Sequence, residues 1–225
     1  MNRDREKQLA AEAAAAVVES GMVVGLGTGS TAAFAIRKLG ERVKGGLKMH
    51  GVPSSRWAEN LAKEVGIPLL DFSQTSQLDI TLDGADEFDP ALNLIKGGGG
   101  ALFREKIVAA ASKRLVIFAD ASKQVPTLGK FPLPVEVNPF GWQVAVRKLK
   151  DLCPKVTLRE KDGKPFVSDN QGYILDCAFG SIPNPPELEA RIKRITGVME
   201  CGLFCGMADT VAMATGEKVE LVRPR

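Results

Sequence analysis

Short apolar runs alternate along this chain with longer stretches in which apolar residues recur every three or four positions. The runs at 22–26, 48–52, 67–70, 80–82 and 115–119 have the length and content of buried strands. Between them, 4–20, 32–39, 55–65 and 101–111 carry helical spacing. In the first helix Leu9, Ala13, Ala16 and Val17 form an apolar stripe, Asp4 is a candidate cap and Gly21 the stop. Strands alternating with helices imply right-handed crossovers and a largely parallel α/β sheet.

The texture changes after Lys123. Residues 129–134 are a proline-rich crossing and a candidate domain boundary. Beyond it lie a strand at 135–137, a helix at 142–150 and a hairpin of 156–159 with 165–167 around Asp162-Gly163. A strand at 173–177 and a helix at 186–195 complete a small α+β unit with an antiparallel sheet. The last strands, 198–204 and 210–214, are expected to return to the first unit.

Composition narrows the function classes. Basic residues are interleaved with acids to a net charge of +3, and aromatics are 6% of the chain, which argues against a basic, stacking nucleic-acid surface. No apolar run approaches the roughly 20 residues of a membrane span. The Ala-rich start carries acids early and reads as a helix rather than a secretion signal, so a cytoplasmic protein is expected. Cys153, Cys177, Cys201 and Cys205 match no zinc spacing and are expected as buried free thiols. A single histidine, His50, argues against Ser-His-Asp, Cys-His and poly-His metal chemistry. It is read as a partly buried packing residue at a strand end. Catalysis here would rest on Asp, Glu and Lys.

Those groups concentrate in two places. The first is the strand–turn–helix passage through Gly25-Leu26-Gly27-Thr28-Gly29-Ser30-Thr31. Ser30 stands where a dinucleotide fingerprint has its third glycine, no acid follows about twenty residues on, and no Gly-Lys-Ser/Thr appears. The passage reads as a monophosphate cradle of amides and hydroxyls. The second place is 78–109, where Asp83-Gly84-Ala85-Asp86 follows a strand and Lys96 precedes four glycines and a helix. Four adjacent glycines cost entropy on ordering, and charged groups on both sides point to backbone approaching a ligand rather than a slack connection. Glu105 lies four residues after Ala101 and three before Val108. It is either a desolvated acid on an apolar stripe, with its pKa raised into a useful range, or an exposed glutamate at the helix start. Arg104 and Lys106 should point elsewhere. Loops at strand ends on one rim would gather Ser30, Thr31, Asp83, Asp86, Lys96, Glu105 and Lys123. Lys7, on the first helix, can reach such a site, although a solvated surface lysine is the simpler reading.

Taken together, VGLGTGSTA at 24–32, LDGADE at 82–87, IKGGGGALFREKI at 95–107, ADASKQV at 119–125 and LGKFPLPVEV at 128–137 closely resemble ribose-5-phosphate isomerases of type A. The resemblance covers almost the whole chain. It implies interconversion of D-ribose 5-phosphate and D-ribulose 5-phosphate in the non-oxidative pentose phosphate pathway, without metal or organic cofactor. It implies a Rossmann-like domain, here 1–128 with 203–225, a smaller ferredoxin-like α+β domain, 129–202, and a homodimer or homotetramer. The family's proton-transferring glutamate falls on Glu105. Its substrate-binding positions fall on Thr28, Gly29, Ser30 and Thr31, on Asp83, Gly84, Ala85 and Asp86, on Lys96, Gly97, Gly98 and Gly99, and on Lys123 and Lys7. In the mechanism these residues support, Glu105 moves the C2 proton to C1 through a cis-enediolate and Lys96 stabilises the oxyanion. Asp83 shuttles hydroxyl protons, and Asp86 orients Lys96 or a sugar hydroxyl. A sugar-phosphate sensor and an isomerase of another phosphorylated sugar are the alternatives. The sensor would not need a base aimed at a C–H bond.

Overall fold

The computed structural model describes residues 3–224, so the outermost residues of the expected division, 1, 2 and 225, lie outside it. Helix α1 (Arg3–Ala16) leads into β1 (Val23–Leu26), α2 (Ser30–Lys44), β2 (His50–Pro53) and α3 (Arg56–Val65). Helix α3 falls where 55–65 is expected, with Ser55 as its cap, accepting from the Ala58 amide, and Gly66 closing it. Then follow β3 (Ile80–Gly84), β4 (Glu87–Phe88), β5 (Leu94–Ile95), α4 (Leu102–Ala110) and β6 (Leu115–Asp120). A short 3-10 turn spans Ala121–Lys123.

After it come β7 (Leu133–Val137), α5 (Trp142–Lys150), β8 (Val156–Leu158), β9 (Glu160–Lys161), β10 (Lys164–Pro165) and β11 (Tyr173–Cys177). Helix α6 (Pro185–Lys193), β12 (Val198–Cys201), β13 (Leu203–Phe204), β14 (Thr210–Thr215) and β15 (Lys218–Val222) finish the chain.

Six strands form the main sheet in the order β15-β14-β6-β3-β1-β2. All are parallel except β15, which pairs antiparallel with β14. The central strands β1, β3 and β6 are covered on both faces and so read as short apolar runs, while the edge strand β15 is exposed. In β6, Val116 and Phe118 join the core beneath α1, α2 and α3. Leu115, Ile117 and Ala119 join a second core with Phe88, Leu92 and Phe204. The second sheet is antiparallel, in the order β12-β7-β11-β8, with α5 and α6 in its crossovers. That βαββαβ path is ferredoxin-like. The buried carboxylate of Glu87 ties the proline-rich crossing to the first half of the chain. It accepts from the Gly129 amide at 2.8 Å and the Phe131 amide at 2.6 Å.

Several expectations need correction. Helix α1 buries Ala10, Ala11, Ala14 and Ala15; of the expected stripe, Leu9 and Val17 only flank that face, half-buried against the same core. Alanines let it lie close on α2 and the sheet, and Ala16 is left exposed. Asp4 sits inside the first turn rather than capping it, and the helix stops at Ala16, short of Gly21. Residues 67–70 make only an isolated bridge, Leu69 to Gly51. Pro68 has no N–H with which to continue a ladder. The hairpin does turn at Asp162-Gly163, but its paired strands are β9 and β10, while β8 pairs with β11. His50 is exposed, because β2 is an edge strand. The cysteines are free, with Cys153, Cys177 and Cys201 buried and Cys205 half-buried.

Candidate active site

The carboxyl ends of β1, β3 and β6 open onto one rim, where ligands of parallel sheets bind. There a cavity of about 280 Å³ is walled by Thr28, Gly29, Ser30 and Thr31 after β1, and by Gly84, Ala85 and Asp86 after β3. Lys96, Gly97, Gly98 and Gly99, with Glu105 from α4, close a further side, and Lys7 and Lys123 stand at its edge. Of the predicted residues, only Asp83 is set behind the wall.

The β1 end is shaped by close backbone approach. A Cβ on Gly27 would lie 2.2 Å from Asp83 Oδ1 and 2.7 Å from its Cα. Gly27→Ala is therefore expected to destabilise the fold by about 1–3 kcal/mol through overpacking, checked by thermal unfolding. Thr28 is fixed from both ends. Its amide donates to Asp83 Oδ1 at 3.2 Å. Its hydroxyl lies 2.7 Å from Ser55 Oγ and 2.8 Å from Ser54 Oγ. The Thr28 hydroxyl is thus spent inside the protein, while Ser30 and Thr31 open α2 with no side-chain cap at Gly29. Free amides at a helix start, with two hydroxyls beside them, suit a phosphate.

At the opposite wall three charges converge, Lys96 and Glu105 on it and Asp83 behind it. Lys96 Nζ stands 3.0 Å from Asp83 Oδ2, 3.5 Å from Glu105 Oε2 and 2.6 Å from the Gly84 carbonyl it donates to. All three charged side chains are at most 4% exposed. Asp83 Oδ1 also accepts from the Gly84 amide at 2.8 Å. Among the described residues Glu105 Oε2 finds no hydrogen-bond partner, only the longer ion-pair contact with Lys96. Burial, reinforced by Asp83 and Asp86, outweighs Lys96 and pushes the Glu105 carboxyl up to about 8. Burial alone would lower Lys96, but Asp83 and Glu105 outweigh it and hold the ammonium charged. The stripe reading of Glu105 is the one realised. Asp86 lines the cavity as well. Its Oδ2 accepts from the Gly98 amide at 2.7 Å, which ties it to the glycine run.

The model of the family described as ribose 5-phosphate isomerase A (phosphoriboisomerase A) matches residues 50–218. The chain belongs to the ribose 5-phosphate isomerase A family. It is 54% identical over 226 residues to the ribose-5-phosphate isomerase A of Gloeobacter violaceus, covering 100% of this chain and 98% of that one. With that of Parvibaculum lavamentivorans it shares 51% over 229 residues, 99% of each. A solved D-ribose-5-phosphate isomerase in complex with phospho-erythronic acid superposes with a TM-score of 0.95. It is 39% identical and covers 99% of this chain and 100% of that one. The ribose 5-phosphate isomerase A of Methanocaldococcus jannaschii gives 0.91 at 41% identity, with 96% and 97% covered.

On this isomerase-family frame, residues that local pattern did not mark support the site. Lys106 does point away from Glu105, into a buried cluster. Its ammonium donates to Glu189 at 2.7 Å, Glu200 at 2.8 Å and the Cys201 carbonyl at 2.9 Å. Glu189, Glu200 and Cys201 lie close enough to suggest a metal site, but that ammonium already occupies their centre. The Phe204 ring lies 4.9 Å from Lys106 Nζ and 5.4 Å from Lys96 Nζ. Ser55 was legible only as the first residue of a helix, and Ser54 carried no signal. Arg159, which donates to the glycine run, carried none. Among the described residues no helix is long and apolar enough to cross a membrane.

Proposed function

We propose that this chain interconverts D-ribose 5-phosphate and D-ribulose 5-phosphate through a cis-enediolate, with Glu105 as the base. The observation that carries the reading is the Glu105 carboxyl, buried, short of a hydrogen bond and raised to about 8, on the wall of a cavity that faces a helix N-terminus. Phospho-erythronic acid, found in a related isomerase, joins a phosphate to a carboxylate across a four-carbon chain. The same two charges suit the α2 start and Lys96 here.

Phosphate on the Gly29, Ser30 and Thr31 amides and hydroxyls, balanced by Lys7 and Lys123, fixes the far end of the sugar. That remote binding holds C1 and C2 against Glu105. Glu105 takes the proton from C2 of the open-chain aldehyde, and the electron pair moves onto the carbonyl oxygen. Lys96 meets the developing oxyanion. The Asp83–Lys96 pair passes the hydroxyl proton from O2 to O1. Glu105 then returns its proton to C1. In this reading 1–128 with 203–225 carry the chemistry, 129–202 form the smaller domain, and the enzyme works in the cytoplasm as a homodimer or homotetramer.

Because the base must be ionised, kcat/KM should rise about tenfold per pH unit below about 8 and level off above it. Measurement should begin above the substrate phosphate's own pKa of about 6. The test of the reading is a ketose assay with ribose 5-phosphate in the presence of EDTA. Steady ribulose 5-phosphate formation is expected. Saturable binding without turnover would replace the isomerase by a sensor.

A further inference from the structure

We infer that Arg159 and Asp176 form a positioning pair that sets the Gly97–Gly100 backbone for catalysis. The inference rests on the isomerase reading of the site. Arg159 follows β8, and Asp176 lies on the adjacent β11, in the antiparallel sheet rather than the one that carries the acids and the phosphate loop. Its guanidinium is gripped at two points, Nε at 2.9 Å from Asp176 Oδ2 and Nη2 at 2.5 Å from Oδ1. The remaining arm, Nη1, donates to the Gly97 carbonyl at 3.0 Å and the Gly98 carbonyl at 3.1 Å.

Those two bonds fix peptide planes. The plane joining Gly97 to Gly98 is held at its carbonyl by Arg159 and at its N–H by Asp86, at 2.7 Å. The next plane is held at the Gly98 carbonyl. In a trans peptide the N–H lies opposite the carbonyl. The Gly99 N–H therefore faces away from Arg159, which stands outside the cavity that Gly99 lines. No hydrogen bond to that amide exists among the described residues. A second contact limits the same turn. The Phe166 ring fills the space a side chain on Gly100 would need, its edge 2.4 Å from that Cβ position, and lies 6.0 Å from the guanidinium. Glycines supply the bare backbone but cannot hold a conformation by themselves. An arginine can be braced by a carboxylate through Nε and Nη2 while Nη1 serves the two carbonyls, whereas a lysine has one nitrogen for both tasks.

The pair touches no reacting atom, so its effect should appear in the geometry of the bound intermediate rather than in phosphate capture. In Arg159→Ala, kcat is expected to fall on the order of 10²-fold, the scale of a displacement of about 1 Å at a reacting centre. KM and competitive inhibition by inorganic phosphate should stay within about threefold of wild type. Affinity for phospho-erythronic acid should fall with kcat. The double variant Arg159→Ala/Asp176→Ala, which leaves no unpaired carboxylate, should match the single one, and Arg159→Lys should recover part of the loss. Unchanged kcat in Arg159→Ala would overturn the proposal. So would a parallel loss of phosphate and phospho-erythronic acid binding with a lowered Tm, the mark of a merely structural tie. If wild type itself fails to convert ribose 5-phosphate, the isomerase reading falls. If wild type turns over and Arg159→Ala does so equally, only the positioning role falls.

Discussion

Glu105→Gln is expected to lower turnover by on the order of 10² to 10⁴, the range of a lost general base, with substrate binding kept. The amide preserves shape, and Lys96 remains paired with Asp83 at 3.0 Å. Steady-state kinetics and titration with phospho-erythronic acid separate the two effects. Near-normal kcat would remove Glu105 from the proton transfer. The same substitution should change stability in the opposite sense. The folded chain keeps the Glu105 proton up to about 8, whereas the unfolded chain releases it near the ordinary 4.5. Between those values the folded state binds more protons, so wild-type stability falls as pH rises through the window and the loss is complete above it. Glutamine does not titrate. Near pH 8 the variant should be the more stable by on the order of a few kcal/mol, a gain that disappears near pH 4. Urea unfolding at both pH values checks this, and a difference independent of pH would contradict the raised carboxyl.

Lys96→Met carries the second large effect, on both fold and rate. Removing the ammonium leaves Asp83 and Glu105 buried together without a counter-charge and strips the Gly84 carbonyl of its donor. Breaking a buried pair from one side costs about 3–5 kcal/mol. Loss of one preorganised oxyanion donor costs about 10²–10³ in kcat. Two neighbouring acids without the cation also push Glu105 higher, so the residual activity should shift to more alkaline pH. Denaturant unfolding with a pH–rate profile tests all three consequences. A variant as stable as wild type, with an unmoved profile, would show that the charges do not act as a unit.

The elements legible in the sequence were those with strong local signals. Helix α5 and strand β11 fall where periodicity puts them, and α3 is bracketed by Ser55 and Gly66. Glu105 was marked by its place between Ala101 and Val108. What escaped was set by packing partners far along the chain. An all-alanine face has no apolar contrast, so α1 was turned onto the wrong stripe. Strand β15 is an exposed edge and lacks the apolar run of a buried strand. The two-residue strands β4, β5 and β13 are too short for any period. Asp83 reads as a cavity acid from its neighbours in sequence, but two amides and an ammonium draw it into the wall. Lys106 and Arg159 look like surface cations until the second sheet supplies Glu200 and Asp176.

The claim that Glu105 moves a proton between C2 and C1 is tested most directly by proton NMR of ribose 5-phosphate turning over in D₂O with EDTA present. Wild type and Glu105→Gln are compared at equal concentration. Ribulose 5-phosphate is expected from wild type, with deuterium entering one of the two C1 positions, and almost none from the variant. No ribulose 5-phosphate from wild type, or product formed as fast by Glu105→Gln, would contradict it.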